Sequence, residues 1–237
     1  ALEAHPEIHA GLIPELEQME FLEIKNNNFN NAQEIRYQIN SILDSLHGKQ
    51  APIYHESLLK LAEIQTYYTF KLSDADSIYQ SSFDTVIKQQ LDPFHPEYIA
   101  YLNGYGRLEV EMDEFDEALD KYNQGKEIAI QKFGEESSEH ADELAKIAEV
   151  QIIKGEFLKA EETLTKAYEL IKASHAKKTI ANYNTLVTLG ELQTINGKFN
   201  EAQITLKYAM NIGKKLGLEV NDIQASSMQD LAEIYIE

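Results

Sequence analysis

The chain has 237 residues, of which 43% are hydrophobic and 26% charged, a balance typical of a folded globular protein. Its formal net charge of −19 argues against nucleic-acid binding, since that requires clustered Lys and Arg to neutralise phosphates. No apolar run approaches the roughly 20 residues that would span a bilayer, and the lack of cysteine excludes disulfides and thiolate chemistry. So acidic a chain favours a basic protein or peptide as its partner.

Hydrophobic periodicity predicts eleven helices and no strands. Only five prolines and eleven glycines occur, which disfavours a turn-rich all-β fold, and the apolar residues recur on one face of each helix. The predicted helices cover residues 6–25, 29–46, 53–71, 74–90, 96–112, 115–132, 138–154, 157–173, 177–196, 199–216 and 220–237. They form one domain, 1–237, whose predicted units are 6–46, 53–90, 96–132, 138–173, 177–216 and a partial sixth, 220–237.

An aromatic-x-x-Ala sequence recurs where the second helix of a pair begins. It occurs in "NNFNNA", "DEFDEA", "GEFLKA" and "GKFNEA", whose aromatic residues are Phe29, Phe115, Phe157 and Phe199. The last three are each 42 residues apart. In the second predicted repeat, 53–90, the alanine is Ala75, but the aromatic residue is missing and the spacing is shifted by one residue. A register that holds along the chain predicts a repeat protein.

Small residues recur at a second position, late in the first helix of each pair, at Gly106, Ala148 and Gly190. Two helices of a hairpin approach closely only where no bulky side chain lies between them. Gly155 and Gly197 precede the second helix, where a helix commonly ends in a left-handed residue. Because one hairpin cannot cover its own apolar face, the pattern predicts hairpins stacked in a row.

The complete pattern is Leu-x-x-hydrophobic-small-x-hydrophobic, then Gly-x-aromatic-x-x-Ala, then a small residue seven positions further on. It resembles the tetratricopeptide repeat (TPR), in the 42-residue spacing of kinesin light chains and many bacterial repeat proteins. The resemblance implies an all-α fold, a right-handed α-solenoid of antiparallel helix pairs. Two departures stand out: Glu20 replaces a small residue, and Glu109, Gln151 and Gln193 stand where the family often has Tyr. The first predicted repeat, 6–46, is therefore expected to be irregular or to align differently with the repeat pattern.

Tetratricopeptide arrays bind proteins or peptides, and the resemblance implies a concave surface lined by the first helix of each pair. That surface would carry the residues six and three positions before the small residue and one and four after it. Most charged residues at these positions are acidic. The expected binding residues are Glu56, Glu63, Tyr67, Asn103, Arg107, Asp142, Glu149, Asn184, Glu191 and Glu233.

Each of these glutamates, taken alone, is explained as well by ordinary solvent exposure, and Tyr67 is explained as well by packing. Their recurrence at one position of the repeat favours a binding surface for the set. The amides of Asn103 and Asn184 could both donate to and accept from a peptide backbone. With Arg107 as the single basic residue of the set, an acidic C-terminal tail is a disfavoured ligand.

Candidate catalytic residues are not evident in the sequence. His5 and His9 have a spacing that suits a metal on a helix, but no third ligand lies nearby. The "GYGR" sequence from Gly104 follows no predicted strand, so it does not indicate a phosphate loop. We expect no enzymatic activity, cofactor or metal, although an active site in the curve of a solenoid is an open third alternative.

The favoured hypothesis is a non-enzymatic scaffold that binds a protein or peptide and forms part of a larger protein. The alternative is a regulatory or assembly arm of a multidomain sensor, regulator or protease-like effector. The partial sixth unit motivates both expectations. A cytoplasmic location is expected, with a periplasmic or exported one as the alternative. The sequence does not determine the partner's identity, the pathway or the oligomeric state.

Overall fold

A computed structural model describes residues 11–83, 96–173 and 179–217. Every regular element in these ranges is helical, as predicted. The ten α-helices are α1 (Ile13–Lys25), α2 (Phe29–His47), α3 (Pro52–Ile64), α4 (Leu72–Ser82), α5 (Pro96–Glu111), α6 (Phe115–Phe133), α7 (Ser138–Ile153), α8 (Phe157–Ala173), α9 (Ile180–Ile195) and α10 (Phe199–Lys215). The predicted eleventh helix, 220–237, lies outside the described residues, as do residues 6–10, 84–90 and 177–178 of three other predicted helices.

The helices divide between two compact units, residues 1–118 and 119–237, with the boundary inside α6. In the first unit α1 packs on α2, α2 on α3, α3 on α4 and α4 on α5. In the second unit α7 packs on α8, α8 on α9 and α9 on α10, and α7 also contacts α9. In each unit the second helix of one hairpin therefore packs on the first helix of the next, as in stacked hairpins.

The recurrent small residues have the predicted packing role in the second unit. Ala148 on α7 is buried in one cluster with Ala160 and Leu164 on α8. On α9, a Cβ added at Gly190 would lie 2.5 Å from Cγ of Leu206 on α10. An alanine here would force Leu206 to shift, so glycine gives Leu206 the space that it occupies in this hairpin.

The turn inside each hairpin contains one left-handed residue two positions before the second helix. Gly155 and Gly197 have φ of 76° and 72°, as predicted, and Asn27 and Asp113 have φ of 60° and 62°. The residue after each of them donates its backbone N–H to a carbonyl five residues earlier, at 2.7 to 2.8 Å. These bonds satisfy carbonyl groups that the end of the helix leaves without an intrahelical partner.

The second hairpin contains one additional residue, and the structure locates it. The predicted helix 53–71 is wrong at its end, because α3 stops at Ile64 and Gln65–Thr69 form a π-helical turn. A π-turn accommodates an extra residue without breaking the helix. Phe70, with φ of 52°, takes the left-handed position. Leu72 then takes the place of the missing aromatic, which explains the slip at Ala75.

The first hairpin keeps the repeat register and replaces an apolar contact with a buried ion pair. Glu20 lies at the small-residue position of α1, and Arg36 lies on α2 where Leu164 lies on α8. Nε of Arg36 donates to Oε1 of Glu20 at 2.7 Å, and Nη2 donates to Oε2 of the same carboxylate. Nη1 donates to Oγ of Ser57 on α3 at 3.1 Å. The first repeat therefore keeps the alignment of the pattern, and its irregularity is the replacement of small and apolar residues by an ion pair.

Polar side chains also join neighbouring hairpins at an equivalent position, four residues after the start of the second helix. The carboxylate of Glu161 on α8 accepts from Nδ2 of Asn196 and Nζ of Lys198, each at 2.7 Å, in the next turn. In the first unit Oε1 of Gln33 on α2 accepts from Oγ1 of Thr69 in the π-turn at 2.8 Å. These contacts fix the spacing between consecutive hairpins.

The "GYGR" sequence lies inside α5 and serves packing. A Cβ at Gly104 would overlap the ring of Tyr79 on α4, so glycine lets the two helices approach. The hydroxyl of Tyr101 donates to the backbone oxygen of Tyr79 at 3.0 Å, and the rings of Tyr79 and Tyr105 stack with centroids 5.1 Å apart. This aromatic cluster joins α4 to α5.

Candidate protein-binding clefts

A cleft of about 240 Å³ lies between α7 and α9 in the second unit. It brings together Asp142 and Glu149 from α7 and Asn184 from α9, which are three of the predicted binding residues. Adjacent first helices are in contact here, as the repeat predicts. The remaining lining residues are Ala145, Lys146, Leu164, Ala181, Thr185 and Thr188.

Asp142 is the most unusual group of this cleft. Burial raises the pKa of its carboxyl group, Lys146 lowers it, and Glu143 and Glu139 raise it further. Its Oδ1 atom is enclosed, and no donor among the described residues reaches it. Nζ of Lys146 donates to Oε1 of Glu143 at 3.0 Å. The carboxyl groups of Asp142 and Glu149 on the cleft wall would be complemented by a hydrogen-bond donor or a cation.

The first unit has a pocket of about 500 Å³ that contains two more predicted residues, Glu63 on α3 and Tyr67 in the π-turn. Burial raises the pKa of the Glu63 carboxyl group, which Lys60 and Arg36 partly oppose. The other lining residues come from α1, α2, α3 and the π-turn, and are Glu17, Glu20, Ile24, Arg36, Lys60, Ile64 and Tyr68.

Arg107 on α5 already contacts two groups of the first unit. Its Nη2 atom lies 2.7 Å from Oε1 of Glu111, one turn along the same helix. Its guanidinium carbon lies 5.7 Å from the ring centroid of Tyr67, a distance at which a cation is attracted to an aromatic face. The predicted residue Arg107 is thus adjacent to the predicted residue Tyr67.

The other predicted residues do not line these two pockets. Glu56 on α3 and Glu191 on α9 are exposed, and Asn103 on α5 is half-buried. Glu233 lies outside the described residues. Whether any of the ten residues contacts a partner stays a prediction.

Sequence reasoning missed Lys146, Thr185 and Thr188. For Tyr68 it favoured packing over a peptide contact, and the structure places this residue in the pocket of the first unit. The rule used for the repeat selects the same four positions on every first helix. The two walls of the cleft instead use different positions. On α9, Thr185 and Thr188, five and two residues before Gly190, also face the cleft.

None of the helices in the described ranges combines the length and apolar character that a membrane crossing requires.

No protein-family model matches the chain, and no curated protein is similar to it in sequence. Solved structures are similar in fold. The nearly identical TPR-like repeats assigned to a kinesin light chain of Podosopora anserina superpose with a TM-score of 0.69 at 17% identity, over 91% of this chain and all of theirs. BtubC from P. vanneervenii gives a TM-score of 0.71 at 16% identity, over 93% of this chain and 87% of its own.

Aspartyl phosphate phosphatase F from Bacillus subtilis has a TM-score of 0.69 at 11% identity. The match covers 91% of this chain but only 56% of the phosphatase. Together with the helix pairs and the turns described above, these similarities show that the chain has the tetratricopeptide-repeat fold, an all-α solenoid of antiparallel helix pairs.

Proposed function

We propose that the chain is a non-enzymatic scaffold that binds a protein or peptide segment, and that the cleft between α7 and α9 is one binding site. The observation that carries this proposal is the position of Asp142, Glu149 and Asn184 around one cleft. Three residues that the tetratricopeptide resemblance selects thereby line one cleft. The fold supports the proposal only by analogy, because one fold has many functions.

The chemistry of the cleft favours a ligand that donates hydrogen bonds. Asp142 lines the cleft with a carboxyl group, and Glu149 adds a second one about two turns further along α7. The hydroxyls of Thr185 and Thr188 donate to backbone carbonyls of their own helix, at 3.0 and 3.1 Å. A peptide backbone N–H, a lysine or an arginine would complement this arrangement, and a carboxylate would not.

Binding to arrays of basic, neutral and acidic peptides tests the proposal, followed by titration calorimetry with the best binder. The variants are Asp142→Asn and Glu149→Lys in the cleft, and the control is Glu162→Lys, an exposed residue on α8. We expect Glu149→Lys to weaken binding by about tenfold or more, the size of loss that charge repulsion produces. Equal affinity of all three variants would exclude the cleft as the site.

The second candidate is a regulatory or assembly arm within a longer protein. It is favoured by the matches to aspartyl phosphate phosphatase F and RapI, of which the aligned region covers only 56% and 60%. In those proteins the fold forms part of a larger chain. Peptide binding is compared between this chain and the product of its whole gene. This candidate requires that a further domain alters the binding.

A further inference from the structure

The charged groups lining the pocket of the first unit are unequally paired. Arg36 is bonded to Glu20, and Nζ of Lys60 donates to Oε1 of Glu17 at 3.1 Å. Both cations of the pocket therefore already contact a carboxylate. Glu63 has no ion pair with any residue in the described part of the chain. Lys60 and Arg36 act on its charge only from beyond ion-pair distance, so a further cation would complement the Glu63 carboxylate.

Two tyrosines complete this pocket beside Glu63. Tyr67 and Tyr68 are 44% and 38% exposed, although they lie at the end of a packed helix. The ring of Tyr68 stacks on Phe29, with centroids 4.6 Å apart and planes at 11°, so its orientation is fixed. The guanidinium of Arg107 lies against the Tyr67 ring, so a ligand cation would use the part of this ring that Arg107 does not cover.

We infer that this pocket binds a basic side chain, arginine or lysine, of a partner protein. The cation would lie between the Glu63 carboxylate and the rings of Tyr67 and Tyr68, where ion pairing and cation–π attraction act together. Glu63 and Tyr67 are four residues apart, so they project from the same side of the helix. This inference rests on the proposed function, because it presupposes a protein or peptide partner.

The charge of the pocket selects this ligand over an acidic one. A carboxylate entering the pocket would approach Glu63 and lose its hydration without gaining a free cation, since Arg36 and Lys60 are engaged. The net charge of −19 repels acidic segments and attracts basic ones before contact. The pocket volume of about 500 Å³ also leaves room for residues that flank the basic one.

The experiment measures binding of dye-labelled peptides of alternating Arg and Ala, Lys and Ala, or Glu and Ala by fluorescence anisotropy. The variants are Glu63→Gln, Tyr67→Leu and Tyr67→Phe, and Glu34→Gln on α2 is the charge-matched control. We expect Glu63→Gln and Tyr67→Leu each to weaken binding of the Arg peptide by about threefold to tenfold. Tyr67→Phe keeps the aromatic face and should bind like the unchanged chain, as should Glu34→Gln.

The variant Asp142→Asn, in the second unit, distinguishes a failure of this inference from a failure of the proposed function. If only Asp142→Asn weakens Arg-peptide binding, the peptide binds between α7 and α9, so the proposed function holds and this inference is overturned. If Glu63→Gln and Glu34→Gln have equal effects, the attraction is non-specific and the inference also fails. Circular dichroism of each variant confirms that it is folded, so that a loss of binding reports on the pocket.

Discussion

The first hairpin, α1–α2, and the last described hairpin, α9–α10, solve the same packing problem in opposite ways. At equivalent positions the first has Glu20 and Arg36, and the last has Gly190 and Leu206. In the last hairpin the smallest residue lets a leucine side chain reach the backbone of the facing helix. In the first, a carboxylate and a guanidinium fill the same space and are bonded at two points.

The comparison teaches that the repeat requires a filled space at this position and does not require apolar side chains. The energetic consequences differ, however. The glycine–leucine contact gains from burial alone, whereas the ion pair must offset the desolvation of two charges. The first hairpin is therefore sensitive to the loss of either partner, and the last hairpin is sensitive to added volume.

The largest expected effect comes from removing one member of the ion pair. Arg36→Leu leaves the Glu20 carboxylate buried without its cation, and we expect a loss of about 3–5 kcal/mol in the free energy of unfolding. Urea denaturation followed by circular dichroism measures it. The double variant Glu20→Ala, Arg36→Leu copies the pair Ala148 and Leu164 of the α7–α8 hairpin. It should recover most of that loss; a double variant as unstable as the single would contradict the equivalence.

A smaller loss is expected when volume is added to the last hairpin. Gly190→Ala places a methyl group against Leu206, and overpacking of this kind costs about 1–3 kcal/mol, partly offset by the better helix propensity of alanine. In a Leu206→Ala background the same change should be neutral or stabilising, because the clash is gone. Unfolding free energies of all four proteins complete this cycle, and a purely additive result would exclude the contact as the cause.

The turns give a third comparison. Phe70 occupies the left-handed position that Asn27 occupies in the first hairpin and Gly155 in the α7–α8 hairpin. A bulky side chain is disfavoured there, so Phe70→Asn should stabilise the first unit by about 0.5–1 kcal/mol. Gly155→Ala should destabilise the second unit by a similar amount. Hydrogen exchange of the flanking helices reports each effect locally, and a loss of stability in Phe70→Asn would indicate that the ring contributes to packing.

The smallest effect concerns pH. Burial lowers the pKa of His55 on α3 below its ordinary value of 6.5, and its Nδ1 atom lies 3.2 Å from Oγ of Ser82 on α4. Because the pKa of His55 is lower in the folded chain, the unfolded chain binds more protons below pH 6.5. The free energy of unfolding therefore decreases as the pH falls. The hydrogen-exchange protection of α3 and α4, corrected for the intrinsic exchange rate, should decrease as the pH falls below 6.5. His55→Gln should remove this additional change.

The sequence predicted most of the fold because the same constraint acts in every unit. A small residue, an aromatic and an alanine at fixed spacing define a hairpin, and the observed helices follow the predicted ones except near their ends. The end of α3 was missed because a π-turn changes the hydrogen-bond pattern without changing residue composition. The shifted spacing at Ala75 indicated an additional residue in this repeat, but not that the residue forms a π-turn.

The candidate sites were predicted only in part. Asp142, Glu149 and Asn184 were found because they follow the repeat register. Lys146 and the threonines of α9 were missed because pockets form between helices, and the offset between two packed helices depends on side chains of both. The register of a single helix carries no information on that offset.

The sequence by itself determined the helix pairs, their order and the left-handed turns, since these depend on residues near one another in the chain. Only the tertiary structure decided that Glu20 and Arg36 form one buried pair, and that Lys60 bonds to Glu17 rather than to Glu63 within the described residues. The physical reason is that desolvation and ion pairing depend on distances between helices. Those distances are set by the packing of many side chains at once.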